Sequence, residues 1–342
     1  MTRALIAAGG TGGHVFPALA IAEELQQRGA EVFWLAAGGM ETALAAARGF
    51  PVHLAPFRPP RGIGGALRLA AAVWRARRIL RRVRPAVVLG MGGYAAAPGG
   101  LAAKTAGVPV VVHEQNAVAG RANRLLCKIA DQTLTGFPGV LPNGRWVGNP
   151  VRAEFFAAVR PQTSGPLRRL LVLGGSQGAR ALNETVPAAL ARLPADFAVF
   201  HQCGRGNLDA ARRAYQAAGR RAEVCEFMDD VAAQMAAADL ILSRAGAATL
   251  AEIAATGGAA LLIPYPFAAG GHQRRNAEFF AEKGAAFHRE EEELTAEWLA
   301  DFLAQTTRPM LAETGRKARE LARPNAAADV AEACLAEANH AA

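Results

Sequence analysis

The chain has 342 residues, 51% hydrophobic and 20% charged, enough for two ordinary domains with cores and inconsistent with a disordered chain. Its four cysteines (Cys127, Cys203, Cys225, Cys334) are scattered with no C-x-x-C, which excludes a disulfide framework or zinc ribbon and suits a reducing compartment. The net charge of +9 is lopsided: residues 1–150 hold 17 Lys+Arg against 6 Asp+Glu, while 151–342 hold 21 against 23, so the first half is suited to an anionic partner, nucleic acid or a membrane surface.

In chain order, an apolar run at 3–8 predicts a strand. It stops at Gly9, too short for an export signal, and gives way to Gly9-Gly10-Thr11-Gly12-Gly13-His14 and a helical pattern over 16–28. Residues 67–84 read as one helix at 100° per residue, with Leu69, Val73, Ala76, Ile79, Leu80 and Val83 on one arc. Arg77, Arg78 and Arg81 gather with Trp74 on another side. A Trp among Arg suits a membrane interface, and equally a surface ring shielded by Arg stems. The uncharged stretch 86–103 is broken by Gly and Pro and does not read as a membrane span. Short buried-strand runs follow at 87–89 and 110–112.

The second half opens as the first does: a strand at 169–173, Gly174-Gly175-Ser176-Gln177-Gly178, then a helix over 180–192. Further strand runs lie at 198–202, 240–242 and 260–263. Strand, glycine turn and helix form the opening unit of a doubly wound α/β domain, so the chain reads as two such domains in tandem. The boundary falls near Gly148-Asn149-Pro150, giving domains 1–150 and 151–324. The helical pattern at 325–342 leaves open whether it packs back on the first domain.

Glycine loops at strand ends let backbone approach a phosphate, and the next helix start offers N–H groups and a positive dipole end. No lysine follows a glycine, which excludes a Walker A loop. The dinucleotide fingerprint fails after Gly10 because its third glycine position is Val15. Nonstandard phosphate or sugar loops remain, against tight turns that hold nothing. The segment Ser243-Arg244-Ala245-Gly246-Ala247-Ala248-Thr249-Leu250-Ala251-Glu252 runs from a strand into a helix. There Glu252 either relieves the helix dipole, worth under ~1 kcal/mol, or accepts ribose hydroxyls. His272-Gln273 at the next helix start suits sugar hydroxyls or plain solvation. There is no Asp-x-Asp, and Asp229-Asp230 reads as a helix N-terminus, so neither a metal nor a cofactor is expected.

Together these segments resemble the MurG family of peptidoglycan glycosyltransferases. The resemblance is carried by Gly9 to Pro17, Gly90-Met91-Gly92-Gly93-Tyr94, His113-Glu114-Gln115-Asn116, Gly148-Asn149-Pro150-Val151-Arg152, Gly174 to Ala179 and Ser243 to Glu252, in family order over nearly the whole chain. One departure is His272-Gln273, where some members carry paired glutamines. The resemblance implies a GT-B architecture, two Rossmann-like doubly wound domains facing across a cleft. It implies inverting transfer of N-acetylglucosamine from UDP to the C4 hydroxyl of a muramyl-pentapeptide on undecaprenyl diphosphate. The second domain would hold UDP-N-acetylglucosamine. The first would face the acceptor and an anionic membrane surface, placing the enzyme peripherally on the cytoplasmic face of the cell membrane. Expected donor contacts are Thr11, Gly12, Gly13, Asn116, Arg152, Ser176, Met228, the run Ala247, Ala248, Thr249, Leu250, Ala251 and Glu252, and His272 or Gln273. Gly92, Gly93 and Tyr94 fall on the acceptor side.

Inversion needs a base for the attacking hydroxyl and charge stabilisation for departing UDP. His14 is the expected base, with Glu114 and His113 as alternatives; capping its own helix is the competing role for His14. Ser176, the N–H groups at the Arg180 helix start and Arg152 would meet the leaving-group charge. Two other functions compete. An epimerase or hydrolase of UDP-N-acetylglucosamine would share the donor half. A nucleic-acid binder is suggested by pI ≈ 10.1, but aromatics are only 6%, the second half is acidic and no recognition motif is present, so no nucleic-acid partner is expected.

Overall fold

Apolar runs of three to six residues bounded by glycine or by turns make strands whose two faces are both covered, as parallel sheets require. The computed structural model describes residues 1–10, 12–57, 64–160, 167–194 and 197–340. They form two units, Met1–Val151 with the chain from Arg323 onward, and Arg152–Ala322.

The first unit contains β1 (Arg3–Ala7), β2 (Glu31–Ala36), β3 (Val52–Leu54), β4 (Val87–Gly90), β5 (Val110–Glu114), β6 (Gln132–Thr135) and β7 (Arg145–Trp146). They pair in parallel in the order β3-β2-β1-β4-β5-β6-β7. Alternation along β1 divides the core: Ala4 and Ile6 pack on one face with Trp34 and Leu89, Leu5 and Ala7 on the other with Leu35 and Val88. The helices Gly12–Gln27 and Ala326–His340 cover the first face. The last helix thus returns to the first sheet through Val330, Ala331 and Cys334.

The second unit contains β8 (Arg169–Leu173), β9 (Ala198–Gln202), β10 (Glu223–Cys225), β11 (Leu240–Ser243), β12 (Ala260–Leu262) and β13 (Phe287–His288), parallel in the order β10-β9-β8-β11-β12-β13. Both sheets reverse their strand order beside the opening strand, between β1 and β4 and between β8 and β11. Loops at the carboxyl ends of strands on either side of such a switch diverge and leave a crevice for ligand.

Two differences from the sequence reading matter. The first helix begins at Gly12, not at 16, because Gly10 at φ +106° turns the chain directly after β1. Its apolar periodicity starts only at Val15, so the pattern hides the first turn. In helix Gly64–Val83, Ala72, Ala76, Leu80 and Val83 are buried, but Leu69, Val73 and Ile79 only partly so. Arg77 is not simply part of a solvated cationic side: its Nη1 donates to Thr105 O at 2.8 Å. Arg78 lies 4.8 Å over the ring of exposed Trp74. Among the described residues no helix is long and apolar enough to cross a membrane. Asp230 does cap a helix, Val231–Ala237, accepting from Ala233 N.

Candidate functional site

In the first unit the loops after β1, β4 and β5 lie side by side because their strands do. The first two touch through backbone: a Cβ on Gly93, at φ +72°, would stand 1.7 Å from Gly9 O. No other residue satisfies both the left-handed conformation and that approach. Gly92, also left-handed, would place a Cβ 3.4 Å from His14 Cε1. His14 stands half-buried in the first turn of helix Gly12–Gln27, where Gly12 and Gly13 present helix-start backbone. Its Nδ1 is 3.1 Å from Gln115 Oε1. His14, Gly92, Gly93 and Gln115 are therefore one cluster, with Tyr94 beside it, 45% exposed at the start of helix Gly93–Thr105. Thr11 lies outside the described residues.

Glu114 does not suit the alternative base role. Its buried carboxylate accepts from Asn116 N (2.9 Å) and Asn116 Nδ2 (3.3 Å) on one oxygen. Gly120 N and Asn123 Nδ2, both at 2.9 Å, bond the other. With four donors on it, Glu114 folds the loop after β5 rather than waiting for a substrate proton. The same bonds turn the Asn116 side-chain nitrogen toward Glu114. His113 is fully buried, bonds Gly148 O through Nε2 at 2.9 Å, and has its pKa lowered by burial, so it too is out of reach as a base. Sequence reading missed Glu41. This buried carboxylate accepts from Ala37 N, Gly39 N and Gly10 N, fixing the first glycine loop against the loop after β2. An acid in a helix's first turn was the only signal, and it reads as ordinary dipole compensation.

In the second unit the corresponding loops follow β8, β11 and β12. Gly178, at φ +77°, would drive a Cβ to 2.3 Å from Cys203 O, so the loop after β8 lies directly on the loop after β9. Gln202 clamps it from below: Oε1 accepts from Gly175 N at 2.9 Å, while Nε2 donates to Gly175 O at 3.0 Å and Glu226 O at 2.7 Å. Ser176 sits exposed at the tip, ahead of helix Arg180–Leu190. Asn276, fully buried, ties the loop after β11 by donating to Ala245 O at 3.0 Å.

Helix Ala247–Thr256 sorts the expected run by face. Ala248, Thr249, Ala251 and Glu252 are partly exposed, whereas Ala247 and Leu250 are buried. Leu250 is a correction: its side chain lies in the core and its N–H is bonded to Gly246 O, so it offers a ligand nothing. Burial pushes the Glu252 carboxyl up to about 7; Arg152 opposes the shift and Glu154 adds to it. Arg152, Glu154 and Glu252 thus form a second cluster, with Arg152 Nη1 bonded to Glu154 Oε1 at 2.9 Å. Met228 is half-buried in the loop after β10, at the sheet edge. His272 and Gln273 are engaged within their own loop, His272 Nδ1 with Ala269 O at 2.8 Å and Gln273 Oε1 with Tyr265 N at 2.9 Å. Among the described residues no group of three or more His, Cys, Asp or Glu is arranged to hold a metal.

Two doubly wound units with glycine loops at both switch points have the architecture of GT-B glycosyltransferases. The family models agree: glycosyltransferase family 28 N-terminal domain matches residues 4–135, and the family 28 C-terminal domain matches 169–333. Two curated relatives are UDP-N-acetylglucosamine--N-acetylmuramyl-(pentapeptide) pyrophosphoryl-undecaprenol N-acetylglucosamine transferases. That of Ralstonia nicotianae is 49% identical over 98% of this chain and 96% of its own length; that of Paracidovorax citrulli is 48% identical over 97% of each. The crystal structure of Acinetobacter baumannii MurG superposes with a TM-score of 0.87 at 38% identity, covering 98% of this chain and 100% of that one. The chain belongs to the MurG family. A UDP-N-acetylglucosamine 2-epimerase shares the fold alone, with a TM-score of 0.68 at 14% identity, covering 99% of this chain and 97% of that one.

Proposed function

We propose that this chain transfers N-acetylglucosamine from UDP-N-acetylglucosamine to the C4 hydroxyl of N-acetylmuramyl-pentapeptide carried on undecaprenyl diphosphate. The hydroxyl oxygen attacks the anomeric carbon as the bond to the β-phosphate oxygen breaks. His14 takes the hydroxyl proton, and the bonding pair leaves with UDP. Attack from the face opposite the leaving group inverts the centre in a single displacement. Departing charge is met by fixed dipoles at the Arg180 helix start, by Ser176 and by Arg152. Glu252 accepts the ribose hydroxyls. Gly92, Gly93 and Tyr94 serve the acceptor, and the basic first unit holds the enzyme peripherally on an anionic membrane surface.

The observation that supports this reading best is positional. Five of the six segments shared with the family open at the carboxyl ends of β1, β4 and β5 in one unit and of β8 and β11 in the other; the sixth, 148–152, follows β7. His14 emerges there in the first turn of helix Gly12–Gln27, its Nδ1 3.1 Å from Gln115 Oε1. The test is UDP release with and without a lipid-linked muramyl acceptor. Transfer requires the acceptor for release, whereas a hydrolase or a hydrolysing epimerase releases UDP without it.

A further inference from the structure

The imidazole of His14 belongs to a hydrogen-bonded relay that starts at the backbone carbonyl of Gly148, and the relay has a direction. Gly148 O can only accept, so the His113 Nε2 that meets it at 2.9 Å carries a proton. His113 is fully buried and held neutral by that burial, so its Nδ1 is a lone pair. Gln115 Nε2 lies 3.3 Å from this Nδ1 and also 3.3 Å from His113 O, a second group that can only accept. Two acceptors therefore fix this atom as the amide NH2 and the other end as the carbonyl oxygen. That oxygen, Gln115 Oε1, meets His14 Nδ1 at 3.1 Å and can bond it only if Nδ1 carries the proton. In neutral His14 the lone pair is then on Nε2.

The members are held in place from outside the relay. Asn149 Nδ2 donates to Gln115 O at 2.9 Å, Asn123 Nδ2 donates to His113 O at 3.1 Å, and Gln115 Nε2 also faces Met91 Sδ at 3.9 Å. Gln115 is only 1% exposed, so water does not compete for these bonds.

We propose that Gln115, aligned by His113 and Gly148, is a positioning residue that holds His14 in the Nδ1–H tautomer and so presents Nε2 as the proton acceptor. This rests on the reading of His14 as the base. It gives Gln115 the orienting task that a carboxylate performs in hydrolase triads, but with a neutral amide. A neutral partner fixes the tautomer while stabilising the imidazolium less than a carboxylate would. Neither Gln115 nor His113 touches the substrate in this account.

The test combines ring-nitrogen NMR with kinetics on the full chain. His14 is assigned in 15N-histidine-labelled protein by the signal lost in His14→Ala. The wild type is expected to carry its proton on Nδ1; a proton on Nε2 overturns the proposal outright. Gln115→Met removes the bonds at similar volume. It should release the tautomer and lower kcat by about tenfold or more, with KM for UDP-N-acetylglucosamine within about threefold of the wild type. The wild-type tautomer is read without any substitution at Gln115, which preserves a test if the Met variant folds poorly. If His14→Ala turns over normally, the base reading fails whatever the tautomer. If His14→Ala is inactive while Gln115→Met retains wild-type kcat and Nδ1–H, the base stands and the positioning role falls.

Discussion

The Glu252 carboxyl, pushed up to about 7 by burial, makes donor binding pH-dependent in a window where few other groups titrate. Accepting two ribose hydroxyls requires the ionised form, so donor and proton compete for the same oxygens. With a folded pKa near 7, roughly a tenth of the carboxyls are ionised at pH 6 and roughly nine-tenths at pH 8. Affinity should therefore rise about tenfold from pH 6 to pH 8, and binding at pH 7 should release about half a proton. UDP-N-acetylglucosamine is the right ligand, because its diphosphate is esterified at both ends and does not titrate in this range. Calorimetry in two buffers of different ionisation heat reads both quantities. Glu252→Gln should flatten the pH dependence, remove the buffer dependence and weaken binding at pH 8 by about 1.5–3 kcal/mol, the value of a charge-assisted bond. A wild type whose affinity and heat are independent of pH and buffer, or a Gln variant that keeps the slope, would refute the ribose role.

Three further outcomes are expected. Gly93→Ala sets a Cβ 1.7 Å from Gly9 O in a left-handed conformation and should cost at least ~3 kcal/mol of stability. Gly10→Ala, left-handed but with nothing within 4 Å, should cost only about 1–2 kcal/mol; equal urea midpoints for the two would dispose of the backbone contact. Exposed Arg78 and Arg81, reversed together to Glu, should strip roughly 1 kcal/mol of anionic-lipid attraction for each positive charge lost and markedly weaken liposome binding at low salt. Arg77 is left intact because it also braces Thr105; wild-type binding by the double variant would place the membrane surface elsewhere. Turnover should survive thorough chelation with at most a few-fold loss, and full loss restored by magnesium or manganese would contradict a leaving group met by fixed dipoles.

The fold was legible because its signals are local. Apolar runs such as Val110–Glu114 and the paired glycine turns after β1 and β8 specify strand, turn and helix without tertiary help. The return of Ala326–His340 to the first sheet was not, since an Ala-rich amphipathic helix carries no address. At the candidate site, His14 and the glycines stood out by position. Roles inside His113-Glu114-Gln115 did not, because acid, imidazole and amide are all plausible chemistry until burial and donors are known. Four N–H groups on Glu114 and a carbonyl on His113 convert two apparent bases into loop supports. Gln115, the least reactive of the three, bonds His14. Glu41 and Gln202 were invisible for the same reason: each holds a glycine loop through contacts 27 or 31 residues away in sequence.

The most direct measurement follows labelled sugar from UDP-N-acetylglucosamine in the presence of a lipid-linked muramyl acceptor and determines the linkage of the product. The account predicts label in a lipid-linked disaccharide, joined at the muramyl C4 oxygen with inverted anomeric configuration, and little of it formed by His14→Ala. Label recovered as free sugar or as an epimer, with UDP released equally well when the acceptor is omitted, would contradict it.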